Sequence, residues 1–448
     1  MKAFIFPILL TFLIISKTHT QVDYWQEQSE KLSNQVFKQL TQTANFGLTT
    51  SNPTDQLQFL VDNLDLQGKD LYKKLSQWDQ YPKPTKTGFI CEYRLPLDTN
   101  YTATYYVYVP KNYNPKKPSK LMVYYKGGWN NRKELPAFYP KEIVIDNPTF
   151  QYLDDENIIQ IFPVLEGKLA MYGYYGYQHL RLMVKNVKMN FNINDNEVYL
   201  AGFSDGGKSV FYAAGLVPSS FAAFYPINAP IIYNPYYPNF SARSILAHIA
   251  ENDGIFDNRN VVSHAKVAKL WKPDWKNIIL KGKEHFYFPY QEEVLPRIFK
   301  HISKTERNPF PRKIIYHSPG NYKEFTGLDW LQCKTKEKGL PASFHYEDSI
   351  SVYNSEGNLK KRLYGQELPQ IEASYKANTF KINASLIEEI TIYISPQMVD
   401  LNRPIKVEVN GKELFNQTLD YDKDFIYKDF INRFDKAQLW VNSIVLRL

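Results

Sequence analysis

The stretch Gly202-Phe203-Ser204-Asp205-Gly206 sets a hydroxyl between two glycines, where an apolar strand pattern gives way to a helical one. A G-x-S-x-G turn of this kind holds its serine in a strained conformation with the hydroxyl exposed, while the glycines let strand and helix approach closely. That is the geometry of a nucleophile; the competing reading is a structural glycine turn. A serine hydroxyl needs a base, and the base needs an orienting acid, in the chain order serine, acid, histidine for this type of turn. "SILAHIAENDGIFD" supplies two carboxylates after an apolar run. Asp253 stands at the strand exit and is the preferred acid; Asp257, further out, is the alternative acid and is also placed to cap the next helix. "IILKGKEHFYFP" then puts His285 in a loop just past the following strand. Of the eight histidines only His285 has both the order and the loop position. His248 lies inside an apolar strand and reads as a satisfied core or pocket residue. His179, His264 and His301 fall on helical segments.

Acyl transfer also requires donors for the negative oxygen of a tetrahedral intermediate. The N–H of Asp205 would supply one, at the positive end of the helix behind Ser204. "YYKGGWN" follows an early buried strand, and there Gly127 or Gly128 can turn the second N–H inward.

The elements that must position these residues alternate. "LMVYY", "NIIQIF", "EVYLA", "SFAAFYP", "SILAHIA" and "KNIILK" read as buried strands separated by helical segments, which implies a mostly parallel sheet flanked by helices, an α/β arrangement. Residues 1–20 read as a leader, 21–86 as an N-terminal helical extension, 87–307 as the α/β domain and 308–448 as a C-terminal β-rich, sandwich-like accessory domain. Asn410-Gly411 between "IKVEV" and "KELFN" predicts a two-residue hairpin, because both turn positions need positive φ.

From about residue 88 to 303 the chain resembles an α/β-hydrolase of the secreted esterase and prolyl-oligopeptidase-like type, including feruloyl-esterase-like and phospholipase/carboxylesterase-like members. The matching segments are "YVYVPKNYNPKKPSKLMVYYKGGW", "VYLAGFSDGG", "AENDGIFD" and "GKEHFYF". The resemblance implies a serine hydrolase with nucleophile Ser204, acid Asp253, base His285 and oxyanion donors in the Gly127/Gly128 loop and at Asp205. Two positions depart from it: Lys126 stands where a histidine usually precedes the paired glycines, and Lys283 and Glu284 precede His285 in place of small residues. A charge at Lys126 is expected to draw an acidic substrate or to displace the loop.

The expected reaction is cleavage of an acyl ester, on polysaccharide or another extracellular ester. A prolyl-oligopeptidase-like peptidase is the alternative, against which about 65 residues between the leader and the hydrolase are too few for a gating propeller. A binding protein on an inactive scaffold is the third reading. Tyrosine-dense segments at 170–180 and 231–240 offer either contact with a sugar or phenolic ring or ordinary surface and packing.

With 44% hydrophobic and 22% charged positions in 448 residues, the chain can bury a large core and more than one domain. Its net charge of +8 comes without a dense basic block interleaved with aromatics, so no nucleic-acid partner is expected. "MKAFIFPILLTFLIISKTHTQ" has a lysine, a short apolar run and Thr18 and Thr20 before Gln21, which predicts a cleaved signal peptide, a secreted or periplasmic protein and no stable membrane span. Cys91 and Cys333, the only cysteines, either pair across the two domains or stay as buried thiols. No metal or cofactor motif is present. Sequons begin at Asn100, Asn239, Asn383 and Asn416.

Overall fold

A computed structural model describes residues 67–81, 87–98, 101–128, 149, 152–164, 174–231, 236–319, 327–336, 350–353, 359–363 and 369–448. The expected leader, most of the N-terminal extension and the Asn100 sequon lie outside the described residues. A short helix α1 (Gly68–Ser76) precedes the sheet and packs Leu71 and Leu75 into the C-terminal core.

The central sheet begins with the antiparallel strands β1 (Phe89–Asp98) and β2 (Tyr101–Val109). It continues through β3 (Ser119–Tyr125), β4 (Ile158–Pro163), helix α2 (Tyr174–Asn190), β5 (Ile193–Phe203), α3 (Asp205–Leu216), β6 (Ala223–Ile227), β7 (Ser244–Ala250), α4 (Asn258–Ala268), β8 (Trp275–Leu280) and α5 (Gln291–Ile302). The spatial order is β1-β2-β4-β3-β5-β6-β7-β8, and from β4 to β8 every neighbouring pair is parallel. One crossover, β4 lying outside β3, followed by regular progression to β8, is the α/β-hydrolase sheet. Strands β3, β4, β6 and β7 are buried almost throughout, as continuous apolar runs covered on both faces require. Two hydrophobic clusters lie on this sheet, one including Val123, Val184 and Val210, the other Met122, Tyr199 and Leu295.

Beyond residue 312 the alternation ends. Strands β9 (Lys313–His317), β10 (Gly327–Leu328), β11 (Leu331–Thr335), β12 (Ile350–Tyr353), β13 (Leu359–Leu363), β14 (Gln370–Lys376), β15 (Thr379–Ser385), β16 (Ile387–Ile394), β17 (Ile405–Val409), β18 (Lys412–Gln417) and β19 (Asn442–Arg447) follow. They form a five-stranded sheet, β18-β17-β15-β14-β9, a four-stranded sheet, β10-β11-β16-β19, and the hairpin β12–β13. All pairings are antiparallel except β15 with β17. A single core built on Trp330, Phe380, Ile392 and Trp440 lies among the two larger sheets. Asn410 and Gly411 turn the β17–β18 hairpin at φ 49° and 80°. An additional helix, α6 (Lys423–Arg433), starts at Asp422, whose side chain accepts the Phe425 N–H at 2.9 Å.

Cys91 and Cys333 are both free and buried, one in each half, so the cross-domain pairing is absent. Asn239 is also buried, its amide donating to the carbonyls of Gly215 and His317, which removes it as a glycosylation site; Asn383 and Asn416 are exposed. Among the described residues no helix is long and apolar enough to cross a membrane.

Candidate active site

Four consecutive parallel strands each deliver one polar side chain at the carboxyl edge of the sheet: Ser204 after β5, Asn228 after β6, Asp253 after β7 and His285 after β8. That edge is where the loops of an open α/β sheet converge on ligands. Ser204 sits at φ 55° and ψ −121°, a region costly for a residue with a Cβ, between the last residue of β5 and the first of α3. The turn is held by the Ser204 N–H donating to the Ile227 carbonyl at 2.9 Å. It also depends on close backbone approach: a Cβ on Gly202 would fall 2.6 Å from the Gly206 backbone, and one on Gly206 would collide with the carbonyls of Tyr125 and Lys126.

Ser204 Oγ lies 3.0 Å from His285 Nε2, and His285 Nδ1 lies 2.8 Å from Asp253 Oδ2. With Nδ1–H donating to the carboxylate, Nε2 is left to accept from the serine hydroxyl. The other Asp253 oxygen accepts the N–H groups of Ile255 and Phe256, both at 2.9 Å, which fixes the carboxylate from behind. Ser204 and His285 are 8% and 4% exposed, so the pair is largely withdrawn from water. The rings of Phe203, Phe256 and Phe286 surround the imidazole at centroid separations of 5.1, 5.3 and 5.3 Å.

Asp257, the alternative acid, does not join this group. It caps α4, accepting the Arg259 N–H at 2.9 Å, and pairs with the Arg259 guanidinium. The arginine hydrogen bonds outweigh its burial and hold its carboxyl below the ordinary range.

In the donor loop Gly127 and Gly128 are placed differently. A Cβ on Gly127 would lie 2.8 Å from Ser204 Cβ, so the Gly127 backbone runs directly against the serine. Gly128, at φ 73°, donates its N–H to the Asp205 carboxylate, which leaves Gly127 and Asp205 as the backbone donors nearest the serine. Burial pushes the Asp205 carboxyl up against the opposing pull of Lys208, His285 and that N–H. Lys126 is 6% exposed, so its charge is not offered to solvent as a lure for acidic substrates.

Asn228 is the residue that sequence reasoning missed. Buried at φ 42°, it donates from Nδ2 to the His285 carbonyl at 2.7 Å and to the Tyr290 hydroxyl at 2.8 Å, and accepts the Ala250 N–H at 2.9 Å. Tyr290 in turn donates to the Glu284 carbonyl. Both ends of the histidine loop are thus tied to β6 and β7. A polar residue closing the buried strand "FAAFYPI" was the available signal.

Tyr177 and Tyr237 from the tyrosine-dense segments are 0% and 2% exposed and belong to the core; Tyr237 bonds His264 at 2.5 Å. Residues 170–173 and 232–235 lie outside the described residues. His248 is buried, and neither ring nitrogen has a hydrogen-bond partner among the described residues. Among the same residues no group of three or more His, Cys, Asp or Glu is arranged to hold a metal.

No family model matches the chain, and no curated protein matches it. Solved structures similar to it include a thermostable esterase (TM-score 0.42, 16% identity, 49% of this chain and 63% of that one). Others are a fluorophosphonate-binding serine hydrolase of Staphylococcus aureus (0.39, 14%, 48% and 98%) and a chain described as a dipeptidyl aminopeptidase IV of Bacteroides ovatus (0.40, 13%, 48% and 36%).

Proposed function

We propose that the protein is a serine hydrolase that cleaves acyl esters through a covalent acyl-enzyme. The observation that carries this reading is the unbroken chain from Ser204 Oγ through His285 to Asp253, ending on a serine at positive φ. Ser204 Oγ attacks the ester carbonyl carbon while His285 Nε2 takes its proton, and Asp253 stabilises the imidazolium so formed. The oxygen that becomes negative is received by the N–H groups of Asp205 and Gly127. Collapse breaks the carbon–oxygen bond to the alcohol, which leaves with the proton from His285. Water, deprotonated by the same nitrogen, then attacks the acyl carbon and returns Ser204 to its hydroxyl form.

The substrate is an extracellular ester, reached after the leader formed by residues 1–20 directs export.

Fluorophosphonate labelling of the purified chain, with intact mass as readout, tests the reading. The parent gains one adduct and Ser204→Ala gains none. A folded parent that takes no label overturns it. Comparison of p-nitrophenyl acyl esters with aminoacyl p-nitroanilides then separates esterase from peptidase, the ester being expected to show the greater kcat/KM.

A further inference from the structure

A second cavity, of about 180 Å³, lies between α2 and the C-terminal sheets. None of Ser204, Asp253 and His285 lines it. Five cationic side chains line it, Arg181, Lys185, Lys188, Arg307 and Arg433, against three carboxylates, Asp329, Asp429 and Asp435. Three of these cations are neutralised. Lys188 pairs with Asp195 at 3.0 Å and Asp435 at 3.4 Å, Arg307 with Asp435 at 2.8 Å, and Arg433 with Asp429 at 2.5 Å. Asp329 is taken by Arg243 from outside the cavity, at 2.5 Å.

Arg181 and Lys185 are the two left over: neither has a carboxylate partner among the described residues. They stand four residues apart on α2, where like charges repel. With Lys188 they form one row that passes from exposed through half-buried to buried along the cavity wall. Burial and the neighbouring Arg181 both push the Lys185 ammonium pKa down. Two unbalanced cations on one cavity wall, Arg181 exposed and Lys185 half-buried, leave an anion's place there. Besides aliphatic residues such as Leu180, Val184 and Leu216, the wall carries Ser219, Ser220, Gln332, Asn432 and Tyr393, whose hydroxyl donates to Gln332 at 2.6 Å. Amides, hydroxyls and an aromatic ring beside a cation pair suit a polyhydroxylated ligand with one acidic group.

We propose that this cavity binds the carboxylate of an acidic sugar, with Arg181 and Lys185 as its counter-charges. The proposal is independent of the chemistry assigned to Ser204.

Calorimetric titration of the full chain with galacturonate, galactose and inorganic phosphate tests it. Galacturonate is expected to bind about tenfold or more tighter than galactose, and R181Q/K185Q to weaken it by about tenfold or more. K185R keeps the charge and is expected to keep the affinity. Without ligand, the double variant is expected to melt no lower than the parent, because a repulsive pair is removed; should it fail to fold, R181Q alone, on an exposed residue, serves in its place. Absence of galacturonate binding, binding unchanged in the charge-neutralised variant, or phosphate bound as tightly as galacturonate each overturns the proposal.

Discussion

Two polar constructions are buried in this molecule, and they are wired differently. At the carboxyl edge of the parallel sheet the hydrogen bonds form an open chain: the Ser204 hydroxyl donates to His285, His285 donates to Asp253, and backbone N–H groups donate to Asp253 from behind. Where the sheet meets the C-terminal module, charges close on one another. Arg307 grips Asp435 through both guanidinium nitrogens, Lys188 bridges Asp435 and Asp195, and the Lys436 N–H donates to Asp195 at 2.7 Å. Burial alone would push the Asp435 carboxyl up, yet Arg307 and Lys188 hold it far below the ordinary carboxylate range. The first arrangement leaves an end open for a reacting atom; the second leaves none. Cohesion and chemistry therefore draw on the same residue types, and the open end distinguishes them.

Substitutions should separate the two by what they damage. The largest effect is expected at the open chain: Asp253→Asn should lower kcat by about 10⁴-fold while leaving the melting temperature nearly unchanged, because the wrong tautomer of His285 is then held. Asp257→Ala should leave kcat intact and cost about 1 kcal/mol as a lost helix cap. Steady-state kinetics and urea melts on both variants check the pair, and equal loss of activity would erase the distinction drawn between the two acids.

Next comes the closed network. Arg307→Met strips Asp435 of its bidentate partner inside the protein and should cost about 3–5 kcal/mol in urea unfolding, with kcat per folded molecule unchanged. A large loss of kcat there would mean that the two constructions are coupled.

Asn228→Ala sharpens the contrast further, since Asn228 touches no reacting atom but fixes the loop carrying His285. A drop in kcat of about 10²-fold, with KM little changed, is expected from displacement of the base. Asn228→Asp, which keeps the acceptor for Ala250 but loses the amide donor, should behave similarly.

A pH-dependent effect is shared by three of the buried histidines. Burial lowers His179, His248 and His264 each to about 3, with Arg297 and His301 adding to the effect at His248. In the unfolded chain they titrate near 6.5, so between pH 6.5 and 3 the unfolded state binds more protons. Stability is then lost as pH falls, by about 1.4 kcal/mol per pH unit for each histidine. Urea melts between pH 7 and 4 should show this slope, shallower by one proton in His179→Phe; identical slopes would remove that histidine from the balance.

What could be read in the chain follows from the range of the interactions. Ser204, Asp253 and His285 were legible because each stands in the turn or loop that follows an apolar run, and alternation of strand and helix delivers such positions to one edge. The Asn410-Gly411 turn was legible because it is local. Asn228 was not, although it too closes an apolar strand, because its role lies in contacts with His285 and Tyr290 that no motif encodes. The network was still less so, with Arg307 and Asp435 separated by 128 residues. The direction of the Gly128 N–H depends on one backbone angle that no residue type announces. Helix α6 escaped because its apolar residues form no clear stripe, only Ile426 and Phe430 being buried. The tyrosine-dense segments stayed open because the residue type suits a core as well as a cleft; packing places Tyr177 and Tyr237 in the core.

One further consequence comes from the two thiols. Burial raises both to about 12, so each stays protonated and unreactive while its own hydrophobic cluster is closed. Cys91 belongs to the sheet's cluster and Cys333 to that of the C-terminal module. The chain therefore carries one chemical clock in each half. The rate at which an alkylating reagent captures each sulfur times the opening of that half, and two equal rates would mean that the halves come apart as one.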